Sequence, residues 1–360
     1  MASPPRVTAV ITSRERFSWA EESLESFYAH TDVPCHVVYV DVNSPKDRWA
    51  RLRALSDRHG FTAVRVNKYV SPNCARNIGL RYARGEYVVF LDNDVEYTPG
   101  WLPPLLACAD EEEAAMVGPL YLHGPLDEQT VHMAGGDMEF SGVWGTREFT
   151  QTQRYYMKPL SEVPEEELRR GRCDIIEFHC ALVRRSVIDR VGGMDEGLLT
   201  TREHLDFSRR VLDAGGTVWF EPASVITYRM PPPFARDDLP YFMLRWSDAW
   251  TAETLRHFAA KHGIRPSYVE RVAKNRKGRQ WLLFEQLKRY LPDSLGPTGT
   301  KVVKRVFQKV EPVGNRLLVE ALTRRGPALD WSVHHGGDHA GSAPDAAGAA
   351  DTSGAAGAAR

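Results

Sequence analysis

Two carboxylates one residue apart, Asp92 and Asp94, follow directly on the run Tyr87-Val88-Val89-Phe90-Leu91. Consecutive β-formers after a Gly-Glu turn predict a buried strand, which puts Asp92-Asn93-Asp94 at its end. From extended chain at a strand end, two acids can aim at one hard cation while the backbone stays fixed. Mg²⁺ or Mn²⁺ accepts one or two protein carboxylates and completes its shell with phosphate oxygens and water. A metal held there neutralises a diphosphate leaving group, the Lewis-acid role of metals in catalysis. A polar turn is the plainer alternative, since Asp-Asn-Asp also suits turns. Strand context and a matching acid at Asp41 favour the metal.

The flanking pattern says what must position these residues. Residues 7–11, 36–40, 62–66 and 87–91 are short apolar runs, and 19–29, 48–59 and 75–83 have helical spacing. Strands alternating with helices predict an α/β fold with a mostly parallel sheet covered on both faces. Ligands of such sheets gather beyond the carboxyl ends of the strands. Thr12-Ser13, Asp41 and Asp92-Asn93-Asp94 all fall there, and the convergence says more than any one of them.

Beyond residue 124 the period weakens, which predicts long loops around a site, with a short helix near 165–170. Strands are expected at 175–183, 217–220 and 224–228. Helices are expected at 186–191 and at 203–214, the latter ended by Gly215-Gly216. Pro231-Pro232-Pro233 stops regular structure. The spacing thus divides the chain into a catalytic α/β part at 1–235, a basic helical extension at 236–325 and a Gly/Ala-rich tail at 326–360. That tail lacks the apolar residues needed to offset ordering entropy, so it is expected to be disordered and dispensable.

Composition narrows the partners. With 42% hydrophobic and 26% charged residues, the 360-residue chain reads as an ordinary globular protein. A net charge of −1 speaks against a polyanion binder, and no nucleic-acid partner is expected. The charge is uneven: residues 265–325 hold 15 Lys and Arg against 5 Asp and Glu. Such a basic stretch is either a solvated helix face or a contact for anionic lipid. No apolar run reaches the roughly 18 residues that a spanning helix needs, and no signal-peptide pattern opens the chain. A cytoplasmic location follows as the expectation, with peripheral attachment at the inner membrane face open. Five cysteines without CxxC spacing suggest reduced thiols. Cys173, His179 and Cys180 lack a fourth zinc ligand at the usual spacing and read as buried side chains.

Several stretches together resemble family 2 glycosyltransferases. Residues 74–80 (Cys-Ala-Arg-Asn-Ile-Gly-Leu) and 83–95, ending in Asp92-Asn93-Asp94-Val95, look like that family's donor-site stretch. Val191-Gly192-Gly193-Met194-Asp195-Glu196 resembles its GG-[FM]-DE turn. Glu203-His204-Leu205-Asp206 resembles the start of the helix with its acidic catalytic motif. The likeness runs over about residues 6–230, with the motifs in family order. It implies a GT-A fold, a Rossmann-like sheet merged with an acceptor-binding half, and a metal-dependent enzyme moving a sugar from a nucleotide-sugar. A UDP-linked donor and a glycan, lipid-linked or small-molecule hydroxyl acceptor are implied. So is hexosyl or N-acetylhexosaminyl transfer with inversion, in polysaccharide or glycoconjugate biosynthesis. By the same resemblance Asp41 contacts the uracil or ribose, Arg76 the base or diphosphate and Asp92 the ribose, while Asp94 holds Mn²⁺ or Mg²⁺ with help from Asp92. Ser13 and Asn93 complete the expected donor-binding set.

The sequence also departs from that pattern. The usual P-T-[YF]-N-R is Thr12-Ser13-Arg14-Glu15-Arg16 here, and DDGS is Asp41-Val42-Asn43-Ser44. The usual Glu-Asp pair is Glu203-His204, so either Glu203 or His204 takes the acceptor proton. Asp206, three residues on, shares a helix face with Glu203 and is expected to reach the same cleft. Plainer roles exist for each: an acid favoured by the helix dipole, or a packed imidazole. No histidine lies between His204 and His257 to serve as a late metal ligand, and Tyr228-Arg229-Met230 stands in that region, so water is expected there. Trp246 and Trp250 read as either core or sugar platform. Two other classes compete. A sugar nucleotidyltransferase needs a glycine-rich loop after the first strand, which is missing here. A non-catalytic glycan-binding protein on a decayed transferase fold sits poorly with retained Asp92, Asp94 and Glu203.

Overall fold

The computed structural model describes residues 5–14, 16–229, 234–324 and 328–337. Its first half alternates as the spacing predicts: β1 (Val7–Thr12), α1 (Ala20–His30), β2 (Cys35–Asp41), α2 (Lys46–His59), β3 (Thr62–Val66), α3 (Pro72–Leu80) and β4 (Tyr87–Asp92). Every residue of β1 and β4 is buried, as expected of strands covered on both faces. β3, β2, β1 and β4 lie side by side and parallel. After them come β5 (Val95–Tyr97), α4 (Leu102–Glu111), β6 (Met116–His123) and β7 (Thr130–Met133).

The stretch expected to be loop carries strands instead. β8 (Gly136–Ser141) and β9 (Glu148–Gln153) form a separate hairpin, and β10 (Gly171–Cys173) joins the main sheet. Most of the hairpin's residues are at least partly exposed, which leaves little hydrophobic alternation to read. The strand expected at 175–183 is shorter and later, β11 (Cys180–Arg184), and is followed by α5 (Arg185–Val191) and α6 (Glu203–Asp213). The two strands expected at 217–228 are one, β12 (Val218–Tyr228), with a register shift between Glu221 and Val225. β11 runs antiparallel between β4 and β6, while β12 runs parallel to β6. The sheet is thus mixed, with 11 strands, flanked by helices and followed by a helical region, the α/β architecture expected.

One close approach fixes the helix behind the site. A Cβ on Gly79 would lie 2.5 Å from Val10 Cγ1, so only glycine lets α3 settle this deeply on β1. The helix starts cleanly: Ser71 Oγ accepts from the Cys74 amide, and Pro72 takes the first position. The C-terminal region holds α7 (Leu239–Arg245), α8 (Asp248–His262), α9 (Val272–Lys288) and α10 (Gly296–Thr323). Buried Arg279 of α9 ties three of them together, with Nε 2.7 Å from Glu311 of α10 and Nη1 3.1 Å from Asp248 of α8.

The tail corrects the expectation of disorder from residue 326. β13 (Trp331–His335) adds antiparallel to the free edge of β3. Trp331 donates its indole N–H to the Tyr82 hydroxyl at 2.8 Å, and Arg81 lies over its ring. Sparse apolar content concealed this strand because an edge strand draws on backbone pairing and one aromatic anchor rather than on a core of its own. Residues 338–360 lie outside the described residues. Trp331→Ala should destabilise the fold by about 1–3 kcal/mol, read as a lower midpoint in urea. An unchanged midpoint would show that the strand contributes nothing.

Candidate active site

Thr12 at the end of β1 is level with Val40 on one side and Asp92 on the other. That register carries Ser13, Asp41 and Asp92 to one edge of the sheet, where the sequence placed them. Asp92 has no exposed surface, with two guanidinium groups and an imidazole around it. Arg76 Nη2 lies 2.9 Å from Oδ1, and Arg14 Nη1 and His179 Nδ1 each lie 2.9 Å from Oδ2. Burial alone would favour the neutral acid, but Arg14, His179 and Arg76 outweigh it and hold the carboxyl below its usual range. Arg76 is therefore enclosed, with its guanidinium over the Phe178 ring. It braces Asp92 from behind rather than reaching a base edge.

The neighbouring residues divide their work. Asn93 spends its amide on the β1 loop, accepting from the Arg14 N–H at 2.9 Å and donating to the Arg16 carbonyl at 2.7 Å. It shapes the loop from within the set of residues expected to bind the donor. Asp94, also buried, lies 3.1 Å from Arg16 Nη2. Ser13 Oγ is 3.1 Å from the Tyr39 hydroxyl. Asp41 is held through Oδ2, by Arg65 at 2.6 Å and by the Ser44 amide at 3.2 Å. Its buried Oδ1 has no hydrogen-bond partner among the described residues, an acceptor open to a nucleobase N–H or a ribose hydroxyl.

Asp92, Asp94 and His179 each offer one ligand atom, all within 4.8 Å of one another. Two carboxylates and an imidazole suit a divalent cation such as Mn²⁺, so the donor set fits the metal that the motif implies. Such an ion has to share these carboxylates with Arg14 and Arg16. The fold thus offers His179 where the sequence left a third position to water; Met230 lies outside the described residues. His179 precedes α6 in the chain, so a search downstream of His204 passes over it.

Behind His179 stands Glu177, a buried hub that sequence reasoning missed. Its Oε2 lies 3.1 Å from His132 Nε2 and 3.0 Å from His179 Nε2, and Gln153 donates to Oε1 at 2.6 Å. Burial resists its charge, yet His132, His179 and His204 together keep it well below its usual range. The only sequence signal was the proximity of Glu177 to His179, since His132 comes from a stretch read as loop.

These groups line one side of a cleft of about 410 Å³. Glu203 and His204 of α6 line it as well, and Trp246, Lys274 and Arg279 of the C-terminal helices close over it. Arg202 turns the chain into α6 in the left-handed region (φ 73°) and donates to the Tyr268 hydroxyl at 2.9 Å. Strain of this kind persists where the surroundings hold it and recurs at functional sites. Glu203 Oε2 and His204 Nε2 are both buried without a hydrogen-bond partner among the described residues. Burial lowers the His204 pKa despite Glu177 and Glu203 nearby, so its ring is neutral at neutral pH.

Asp206 is not part of this set. Its carboxylate is taken by Lys261 at 2.8 Å, His262 at 2.9 Å and Arg210 at 3.0 Å, which clamps α6 to α8. One helical turn from Glu203 it faces the next helix rather than the cleft, so the shared face was correct and the shared destination was not. Trp246 lines the cleft, whereas Trp250 is not among its lining residues.

A strand-end acid pair, an imidazole within metal-ligand reach of it and an unsatisfied carboxylate in the cleft that this imidazole lines make up the candidate active site. Residues 8–192, about half of the chain, match the family model "Glycosyl transferase family 2", and the chain belongs to that family. It is 28% identical over 225 residues to polypeptide N-acetylgalactosaminyltransferase 12 of Mus musculus, covering 60% of this chain and 37% of that one. It is 26% identical over 203 residues to the O-antigen biosynthesis protein RfbC of Myxococcus xanthus, covering 53% and 15%. The chain therefore spans little more than a third of such relatives at most. Among solved structures, GalNAc-T7 with UDP, GalNAc and Mn²⁺ superposes with a TM-score of 0.49 at 17% identity, over 76% of this chain and 58% of that one. The mannosyltransferase PcManGT of Pyrobaculum calidifontis, with GDP-Man and Mn²⁺, gives 0.47 at 16%, over 89% and 85%.

The clamp on Asp206 has a pH signature. Burial disfavours its charge, but His262, Lys261 and Arg210 win and lower its pKa. Its contribution is therefore complete above the unfolded value near 4 and fades as pH falls through the lower folded value. Asp206→Asn should cost about 2–4 kcal/mol at neutral pH and progressively less in acid, by denaturant titration. Transfer activity per folded molecule should hold, and a dead but stable variant would return Asp206 to the catalytic set.

Proposed function

We propose that this chain transfers a sugar from a nucleotide-sugar donor, UDP-linked, to an acceptor hydroxyl. The observation that carries the reading is the unsatisfied Glu203 Oε2 in the cleft that His179 also lines, His179 having its ligand atom within 4.8 Å of those of Asp92 and Asp94. The relatives named above as N-acetylgalactosaminyltransferases support hexosyl or N-acetylhexosaminyl transfer.

Asp41 Oδ1 takes the base or ribose, and Arg14, with some exposed surface beside Asp92, faces the diphosphate. Asp94, Asp92 and His179 would hold a divalent cation, which would supply positive charge to the departing phosphate. The acceptor oxygen bonds to the anomeric carbon as the bond from that carbon to the diphosphate oxygen breaks. Glu203 receives the hydroxyl proton, and the nucleoside diphosphate leaves with the bonding electrons. Glu203 is preferred over His204 because it stands at the first residue of α6, in the position of the family's acidic motif. A lipid-linked acceptor would bring the cleft to the inner face of a membrane, and the cationic helices favour an anionic one.

Screening nucleotide sugars for Mn²⁺-dependent release of nucleoside diphosphate tests the reading, and no release from any donor would leave a binding protein. Asp94→Asn should abolish metal-dependent donor binding in a folded protein. Normal affinity with Mn²⁺ would remove Asp94 from the ligand set. Glu203→Gln should cut turnover by about two to four orders of magnitude while donor binding persists, and His204→Asn should cost much less. The reverse order would assign the proton to His204. Full activity in both would point to retention without a base.

A further inference from the structure

We propose that α9 and α10 form a surface that docks the protein on an anionic lipid bilayer. On α10, Val302, Val306, Val310, Val313 and Leu317 are 50–62% exposed. Their spacing of three and four residues places them in one stripe along the helix. The stripe does not face the protein, because the opposite side is pinned: Glu311 pairs with Arg279, and Asn315 donates to the Met243 carbonyl at 2.8 Å. Beside the stripe lies a groove of about 850 Å³ between α9 and α10, lined almost wholly by apolar side chains including Leu283, Leu287, Val303 and Phe307. Tyr290, 79% exposed, stands at its rim.

Charge selects the occupant. At 100° per residue, exposed Arg305, Lys309 and Arg316 fall along one flank of the stripe. Lys288 and Arg289 stand beside Tyr290 at the end of α9. The exposed acids nearby, Glu285 and Glu320, pair with Lys288 and Arg316 at 3.9 Å each. An apolar stripe with a cationic flank suits the plane of a bilayer, apolar side in the acyl boundary and cations at the headgroups. Packed against the same surface of a second copy, these cations would meet few acids. Residues 338–360 are largely Gly, Ala, Ser and Asp and bring no large apolar side chain to fill the groove.

The same helix connects this surface to the cleft. Lys274, Gly278, Arg279 and Leu282 of α9 line the cleft, and Leu283, Leu287 and Tyr290 line the groove. Docking would therefore hold the cleft about one to three helical turns from the headgroups, within reach of a lipid-linked hydroxyl. The choice of acceptor rests on the transferase reading, whereas the docking itself does not.

Co-sedimentation of the full chain with phosphatidylcholine vesicles, with and without phosphatidylglycerol, tests the proposal. Binding should require phosphatidylglycerol and weaken as salt rises. Val306→Asp with Val310→Asp should lower binding about tenfold or more, as should Arg305→Glu with Lys309→Glu. Circular dichroism and nucleoside diphosphate release from a soluble donor, both measured on the same samples, should be unchanged. Undiminished binding by the aspartate variant would overturn the proposal, as would equal binding to neutral vesicles. So would absence of vesicle binding together with a dimer, by light scattering, that the aspartate variant dissolves. Loss of donor turnover in the unmutated chain would count against the transferase reading alone.

Discussion

Asp92 carries a charge with no exposed surface, and much of this molecule answers to that constraint. A lone buried carboxylate would neutralise itself, so Arg14, Arg76 and His179 must all be held against it. Arg76 gets there because α3 rests on β1 at Gly79, and Arg14 because Asn93 grips the loop after β1. His179 gets there because β11 runs antiparallel to β4 and brings the residue before Cys180 level with the end of that strand. Holding two guanidinium groups against one buried carboxylate carries a desolvation cost and is a poor arrangement for stability alone. It makes sense beside a ligand that brings several negative charges of its own, as a nucleoside diphosphate does.

Much of this was legible in the sequence, for identifiable reasons. β1 and β4 are buried along their whole length and β2 and β3 over most of theirs, so each appears as a short, mostly apolar run, and parallel order then dictates that Ser13, Asp41 and Asp92 share an edge. The register of three strands settled what no motif alone could. Glu177, His132 and His179 were harder, because they meet only through the antiparallel insertion of β11 and the pairing of β7 with β6. Side chains joined by long-range contacts leave no period in the chain. Asp206 shows the opposite error: helical spacing correctly put it near Glu203, but spacing says nothing of which neighbour the face meets. Asn93 likewise carried the right residue type for a ligand and was used for the backbone.

The C-terminal helices are more than an appendage to the α/β half. Through Trp246, Lys274 and Arg279 they close the cleft that α6 opens, so the enclosure around Glu203 is built from both halves. Arg279 bears on this twice, lining the cleft and tying α9 to Asp248 and Glu311. Stability and site geometry are thus coupled at one side chain.

The pairing of β13 with β3 also has a consequence for biosynthesis. Thr62 meets His335, partners separated by most of the chain. As the polypeptide leaves the ribosome, the outer edge of β3 stays uncovered until residues 331–335 emerge. An open edge is a template for unwanted pairing, and contacts this distant in sequence form late. The pairing of that edge therefore falls after synthesis of every residue that lines the cleft, and the nascent chain spends that interval exposed to association with its own copies.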